Sequence, residues 1–140
     1  MRTTAGLVVA ALLGTGCYSY TEPRFGSPAD VALAVGGRVQ VDAVVQVVFL
    51  GVPADSRCPA TADCISAGDA AVALGVSLGT GPTVADTLHT NLGPRSVSVG
   101  GYTITLIELT PYPEIPGPIP ADQYRARLSI ALAPVAVAPG

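Results

Sequence analysis

Apolar and polar residues alternate at a period of two through most of the chain after residue 28, the period of β-strands with one buried face. Val39, Val41, Val45, Val47 and Phe49 share one parity while Gln40, Asp42 and Gln46 share the other, which predicts one long half-buried strand. Val72, Leu74, Val76 and Leu78 alternate with Ala71, Ala73, Gly75 and Ser77, and Tyr124, Leu128, Ile130 and Leu132 alternate with Arg125, Arg127 and Ser129. Both patterns predict strands. Tyr102, Ile104 and Leu106 alternate with Thr103 and Thr105, but the apolar parity changes at Ile107 and Leu109, as a bulge or burial on both faces requires. Weaker patterns at Val31 to Val35, Val84 to Asn91 and Ser96 to Val99 complete the set.

Turn residues fall between these runs: Gly36-Gly37, Gly79-Thr80-Gly81-Pro82, Gly93-Pro94 and Gly100-Gly101. No segment combines a cap with a 3.6-residue period over the length of an ordinary helix. The expected fold is therefore all-β: a single antiparallel β-sandwich over residues 29–140, Ig-like in general architecture, with about seven strands. A small β-barrel is the alternative. Two stretches lack alternation, Gly51 to Gly68, which contains DSRCPATADC, and Thr110 to Ala121, which is rich in proline. Irregular loops on a rigid sheet scaffold are where binding residues concentrate.

The first residues have a different character. Arg2 precedes an apolar run from Ala5 to Leu13, and Gly14, Thr15 and Gly16 are small residues before Cys17. The run is too short to cross a bilayer as a helix. It resembles a bacterial lipoprotein signal peptide, residues 1–16, although Gly14 stands where that motif usually has Leu. The resemblance implies acylation of Cys17, a tether over 17–28 and a lipid-anchored protein of the cell envelope; ordinary cleavage, giving a periplasmic or secreted soluble protein, is the alternative. After Cys17 no apolar segment reaches spanning length without a Gly, Pro or charge, so membrane attachment would come from lipid. Only 12% of residues are charged, the net charge is -3, and the 7 basic residues are all Arg and scattered. That leaves no basic patch for a phosphate backbone and excludes nucleic acid as an expected partner.

With Cys17 acylated, Cys58 and Cys64 remain as a pair in an oxidising compartment, and a disulfide between them is expected. Metal binding fits poorly, because no second Cys pair exists and His89 is the only imidazole. Asp55, Asp63 and Asp69 could offer carboxylates to Ca²⁺, but their spacing matches no EF-hand loop. Turn capping by Asp55 and Asp63, a strand start at Asp69 and neutralisation of one of them by Arg57 is the favoured reading, with no metal and no cofactor expected.

The run Asp55-Ser56-Arg57-Cys58-Pro59, then Cys64 and Ala67-Gly68-Asp69, then Gly101-Tyr102 and Leu109-Thr110-Pro111-Tyr112-Pro113, resembles a family of small exported bacterial proteins, mostly uncharacterised and often lipoproteins. The likeness covers roughly Val39 to Leu132, with Ser66 where that family usually has Trp. It implies an all-β domain with a small disulfide loop and brings no catalytic residues.

The expected function is a non-enzymatic binding or envelope-structural module with a protein partner in the envelope. Arg57 and Tyr112 are the candidate binding residues, one in each long loop, where stiff backbone and a larger side chain coincide. Replacing either is expected to weaken binding without much effect on melting. One alternative is an inhibitor of an extracellular hydrolase that inserts Pro53 to Ile65. Another is a small hydrolase using His89 or acidic residues, although no G-x-S-x-G elbow occurs and no context favours Glu22, Glu108 or Glu114.

Overall fold

The parity of the apolar positions decides which side of each strand is buried, and the two sheets of the protein meet along those sides. The structure is a computed structural model and describes residues 29–133. Its strands are β1 (Ala29–Ala34), β2 (Arg38–Val41), β3 (Val45–Asp55), β4 (Ala70–Leu78), β5 (Val84–His89), β6 (Ser96–Val99), β7 (Tyr102–Thr110) and β8 (Arg125–Leu132), with a single 3₁₀ turn at Ala121–Gln123. One sheet has the order β1-β8-β7-β6 and the other β2-β3-β4-β5. Every pairing is antiparallel. The chain thus runs as two meanders, and β1 completes the first sheet by pairing with the last strand. This is a β-sandwich, not a barrel.

Val45, Val47 and Phe49 of β3 and Val72, Leu74 and Val76 of β4 face Ile104 and Leu106 of β7 and Leu128 and Ile130 of β8, all buried. Valine and isoleucine suit this layer because their branched side chains lose little rotamer freedom on a pleated surface. The parity change after Leu106 is a bulge: the β7–β8 register shifts between Leu106 and Glu108, leaving Ile107 exposed and returning Leu109 to the core.

The expected single strand through residues 39–49 is instead a hairpin. Asp42 and Ala43 both adopt φ 53°, and the Val44 N–H donates to Val41 O. Val39 pairs with Val47 and Val41 with Val45, so residues of one parity still share one face after the chain reverses. Alternation alone cannot reveal such a turn, and Asp-Ala is a poor turn signature because Ala gains nothing at positive φ. The count of strands rises to eight for this reason. β3 also runs further than its alternation suggests, to Asp55, through register shifts at Phe49/Gly51 and Gly51/Ala54 that break the period.

The two ends of the sandwich differ. Val45 pairs with Leu78 and the Tyr102 hydroxyl donates to Asp42, so the β2–β3, β4–β5 and β6–β7 turns gather at the end where β1 begins and β8 finishes. Both long loops lie at the opposite end, where β3 and β7 finish and β4 and β8 begin.

Because a left-handed alanine costs on the order of 1 kcal/mol, Ala43→Gly is expected to raise stability by about 1 kcal/mol in urea unfolding. A neutral or destabilising result contradicts the left-handed turn.

Candidate functional site

β3 and β4 continue past their last paired residues as a stem for the cysteine loop. The Ser56 N–H donates to Asp69 O (2.7 Å) and the Cys58 N–H to Ala67 O (2.8 Å). Gly68 sits in this stem at φ 71°, where a Cβ would fall 1.8 Å from Ser56 O, so no other residue fits. The stem turns Arg57 inward, with only 4% of its side chain exposed. Its Nε and Nη2 donate to the two carboxylate oxygens of Asp55 (2.9 and 2.7 Å). Its remaining donors cross to the second loop: Nη1 to Leu109 O (2.9 Å) and Nη2 to Pro111 O (3.0 Å). Asp55 also accepts from the Arg57 backbone N–H and from the Tyr124 hydroxyl (2.9 Å). The planar fork of arginine makes this arrangement possible, and the Tyr112 ring lies 5.4 Å from the guanidinium carbon.

Burial works to raise the Asp55 carboxyl, but hydrogen bonds from Arg57 and Tyr124 and the Arg57 charge outweigh it and hold the group below the ordinary carboxylate range. The Tyr124 hydroxyl is pushed up to about 12 by burial and by its bond to Asp55.

A second set of bonds joins the loops further out. Cys58 and Cys64 form a disulfide. Within the ring it closes, the Ala60 N–H donates to Pro113 O (2.9 Å) and the Thr61 N–H to Glu114 O (3.1 Å). The Thr61 hydroxyl donates to the same Glu114 oxygen (2.7 Å), and the Tyr112 hydroxyl to Cys58 O (2.6 Å). Pro113 is buried at this seam. Beside it, between the end of β3 and the proline-rich segment, opens a cleft of about 540 Å³ bordered by Val52, Ala54, Asp55, Pro116, Ile119 and Tyr124. Its volume falls within the range of ordinary small-ligand sites.

His89 and Asp69 meet at the other flank of the stem. His89 Nδ1 lies 2.6 Å from Asp69 Oδ2 and donates to it, while Asp69 Oδ1 accepts the N–H groups of Asn91 (2.8 Å) and Leu92 (3.2 Å). Asn91 Nδ2 donates in turn to Gly68 O (2.6 Å). Burial works against the Asp69 charge, but the Asn91, His89 and Leu92 bonds prevail and bring its value to about 2. Asp69 therefore caps the turn after β5, and His89 adds a further donor. No hydroxyl or thiol is hydrogen-bonded to the imidazole among the described residues.

Of the residues singled out in the sequence, Arg57 and Tyr112 are brought together, but not as two presented contacts. Arg57 is consumed inside the protein, so it cannot also serve as a free binding cation, and its replacement has to affect melting. Tyr112 is half exposed, with the Arg57 guanidinium over its ring and its hydroxyl tied to the cysteine loop. Asp55 and Asp69 serve separate networks, and Arg57 neutralises Asp55 as expected. No group of three His, Cys, Asp or Glu side chains comes together among the described residues. Cys17 lies outside the described residues. The bond from Tyr124 to Asp55 has no counterpart in the sequence reading, while Ile65, the last residue of the expected insertion element, is wholly exposed beside Cys64. The signal for Tyr124 was its place on the core parity of β8, ahead of Leu128 and Ile130.

Among the described residues no helix is long and apolar enough to cross a membrane, and the disulfide is consistent with an oxidising, extracellular location. No family model, curated protein or solved structure matches the chain.

Arg57→Ala leaves the Asp55 carboxylate without its cation and is expected to lower stability by about 3 kcal/mol in urea unfolding. Arg57→Lys, which lacks the fork, should recover only a minor part. An Arg57→Ala protein as stable as the parent contradicts the clamp. The Asp69 value lies below its unfolded one, so its contribution to stability is complete above about pH 4 and is lost as pH falls through about 2. The Asn91 amide proton should shift with that midpoint in an NMR titration. A midpoint near the ordinary carboxylate value contradicts this account.

Proposed function

We propose that the protein is an exported, non-enzymatic binding module, held to the envelope membrane by lipid on Cys17, whose recognition surface is the pair of joined loops. One observation carries this reading: two long loops from different sheets are bonded into a single body, with a cleft beside it, at the end of the sandwich away from the start of β1. Loops ordered before binding lose little entropy when a partner docks. Ile65, Tyr112 and Ile115, all exposed, give this end larger apolar side chains on stiff backbone. β1 starts at the opposite end, so an anchor ahead of it would leave this surface facing away from the membrane.

Ile65 also favours a second reading. A fully exposed aliphatic side chain next to Cys64, on a ring pinned to its neighbour loop, has the form of an element inserted into the cleft of an extracellular hydrolase. The hydrolase reading has less support, since His89 and Asp69 are engaged in holding a turn.

A photo-crosslinking residue placed at Ile65 or Ile115 should capture one partner protein in intact envelopes, while the same residue at Val84, exposed at the other end, should not. Equal capture from all three positions, or capture from Val84 alone, overturns the loop surface. Cys17→Ser should release the protein from membranes that retain the parent through a high-salt wash, since salt removes electrostatic but not lipid attachment.

A further inference from the structure

The second half of β3 is an open strand edge. β2 pairs only with Val45 to Val48, and the next residue, Phe49, exchanges bonds with the Gly36-Gly37 turn. Beyond it, no strand lies against Leu50 to Asp55 on the side away from β4 among the described residues. The antiparallel register says where the backbone groups point. Ala70, opposite Asp55, directs its own N–H and C=O to Thr90 on the β5 side. Ser56 bonds to Asp69 and so occupies the neighbouring hydrogen-bonded position. In an antiparallel ladder the two kinds of pair alternate, so the Asp55 amide and carbonyl face away from β4, toward the cleft. Neither has a hydrogen-bond partner among the described residues.

Natural edges are commonly blunted by charges, prolines or a covering loop. Here Leu50, Val52 and Ala54 carry no charge, and Pro53 removes one donor but leaves the Asp55 pair available. The facing wall contains Pro116, Pro118 and Ile119, whose prolines offer no N–H of their own. The two charged side chains at the floor, Asp55 and Arg57, neutralise each other.

We propose that this cleft binds a short extended peptide segment of an exported partner, which adds as a strand beside β3 and exchanges hydrogen bonds with the Asp55 amide and carbonyl. The proposal rests on the reading of the joined loops as a binding surface and gives that surface a ligand class. A neutralised floor and a facing wall of Pro116, Pro118 and Ile119 select uncharged side chains, and that wall limits the occupant to a single strand. An edge supplies affinity through the main chain and specificity through the pockets beside it. Asp55 offers a complete amide–carbonyl pair and Pro53 removes the donor two residues before it, so the peptide would be short.

A phage-displayed library of random dodecapeptides panned on the purified full-length protein provides the test. Enriched sequences should be uncharged and rich in β-branched residues. Their synthetic peptides should bind at least tenfold more weakly to Ala54→Trp, which fills the cleft from an exposed position, and at least tenfold more weakly when alternate peptide bonds are N-methylated. On binding, hydrogen exchange at the Asp55 amide should slow at least tenfold. The N-methylated peptides and the exchange readout keep the test decisive if Ala54→Trp fails to fold. No enrichment, or binding that leaves Asp55 exchange unchanged, overturns the proposal. Self-association that protects the Asp55 amide and excludes peptide makes a second copy the occupant and also overturns it. Crosslinking from Ile65 and Ile115 in the absence of any peptide binding would leave the loop surface intact and remove only the peptide.

Discussion

A buried guanidinium has to find acceptors for its donors, and Arg57 meets that demand only when both long loops are in place. Asp55 supplies its charge partner from the end of β3, while Leu109 and Pro111 supply carbonyls from the end of β7, 52 and 54 residues further along the chain. Leaving such a cation in the interior without those acceptors costs several kcal/mol, so loop structure and clamp form together. The disulfide adds about 2 kcal/mol by shortening one loop in the unfolded chain, but it acts within that loop alone. The clamp is what relates the cysteine loop to the proline-rich one, and the seam through Ala60, Thr61 and Tyr112 follows from that placement.

This division of labour explains why the sandwich and the loop end behave as separate problems. The core is a non-directional term, met by any set of β-branched and aliphatic residues at the right parity. The loop end is directional: Arg57, Asp55 and Tyr124 on one side and Asp69, His89 and Asn91 on the other each require particular atoms at hydrogen-bonding distance. Two polar networks flank the same stem, and Gly68 lets its two arms approach closely enough for both. The end of the sandwich away from the chain's entry is therefore both the most constrained and the most exposed in side chains such as Ile65 and Ile115.

Those two kinds of interaction also account for what could be read in the sequence. Strand parity, the glycine turns, the bulge after Leu106 and the Cys58–Cys64 pair are local properties and were visible there. The Asp42-Ala43 turn was not, because a hairpin that preserves parity leaves alternation intact. Nor was the interior role of Arg57, since a lone cation in a polar, proline-bearing loop reads as solvated until its distant carbonyl partners are known. Strand parity marks Tyr124 as a core position but says nothing of its bond to Asp55, for the same reason. The open edge of β3 was hidden because the register shifts near Gly51 end the alternation where the strand continues.

Native-state hydrogen exchange, residue by residue, is the most direct test of the clamp as the element that unites the loops. The amides of Ala60 and Thr61 are hydrogen-bonded not to Arg57 or its acceptors but to Pro113 and Glu114. In Arg57→Ala they should lose their protection together with the Cys58 amide, while core amides such as those of Leu74 and Leu128 retain theirs relative to the protein's reduced global stability. If Ala60 and Thr61 keep their full protection while the core weakens, the loops are joined without Arg57 and the account is wrong.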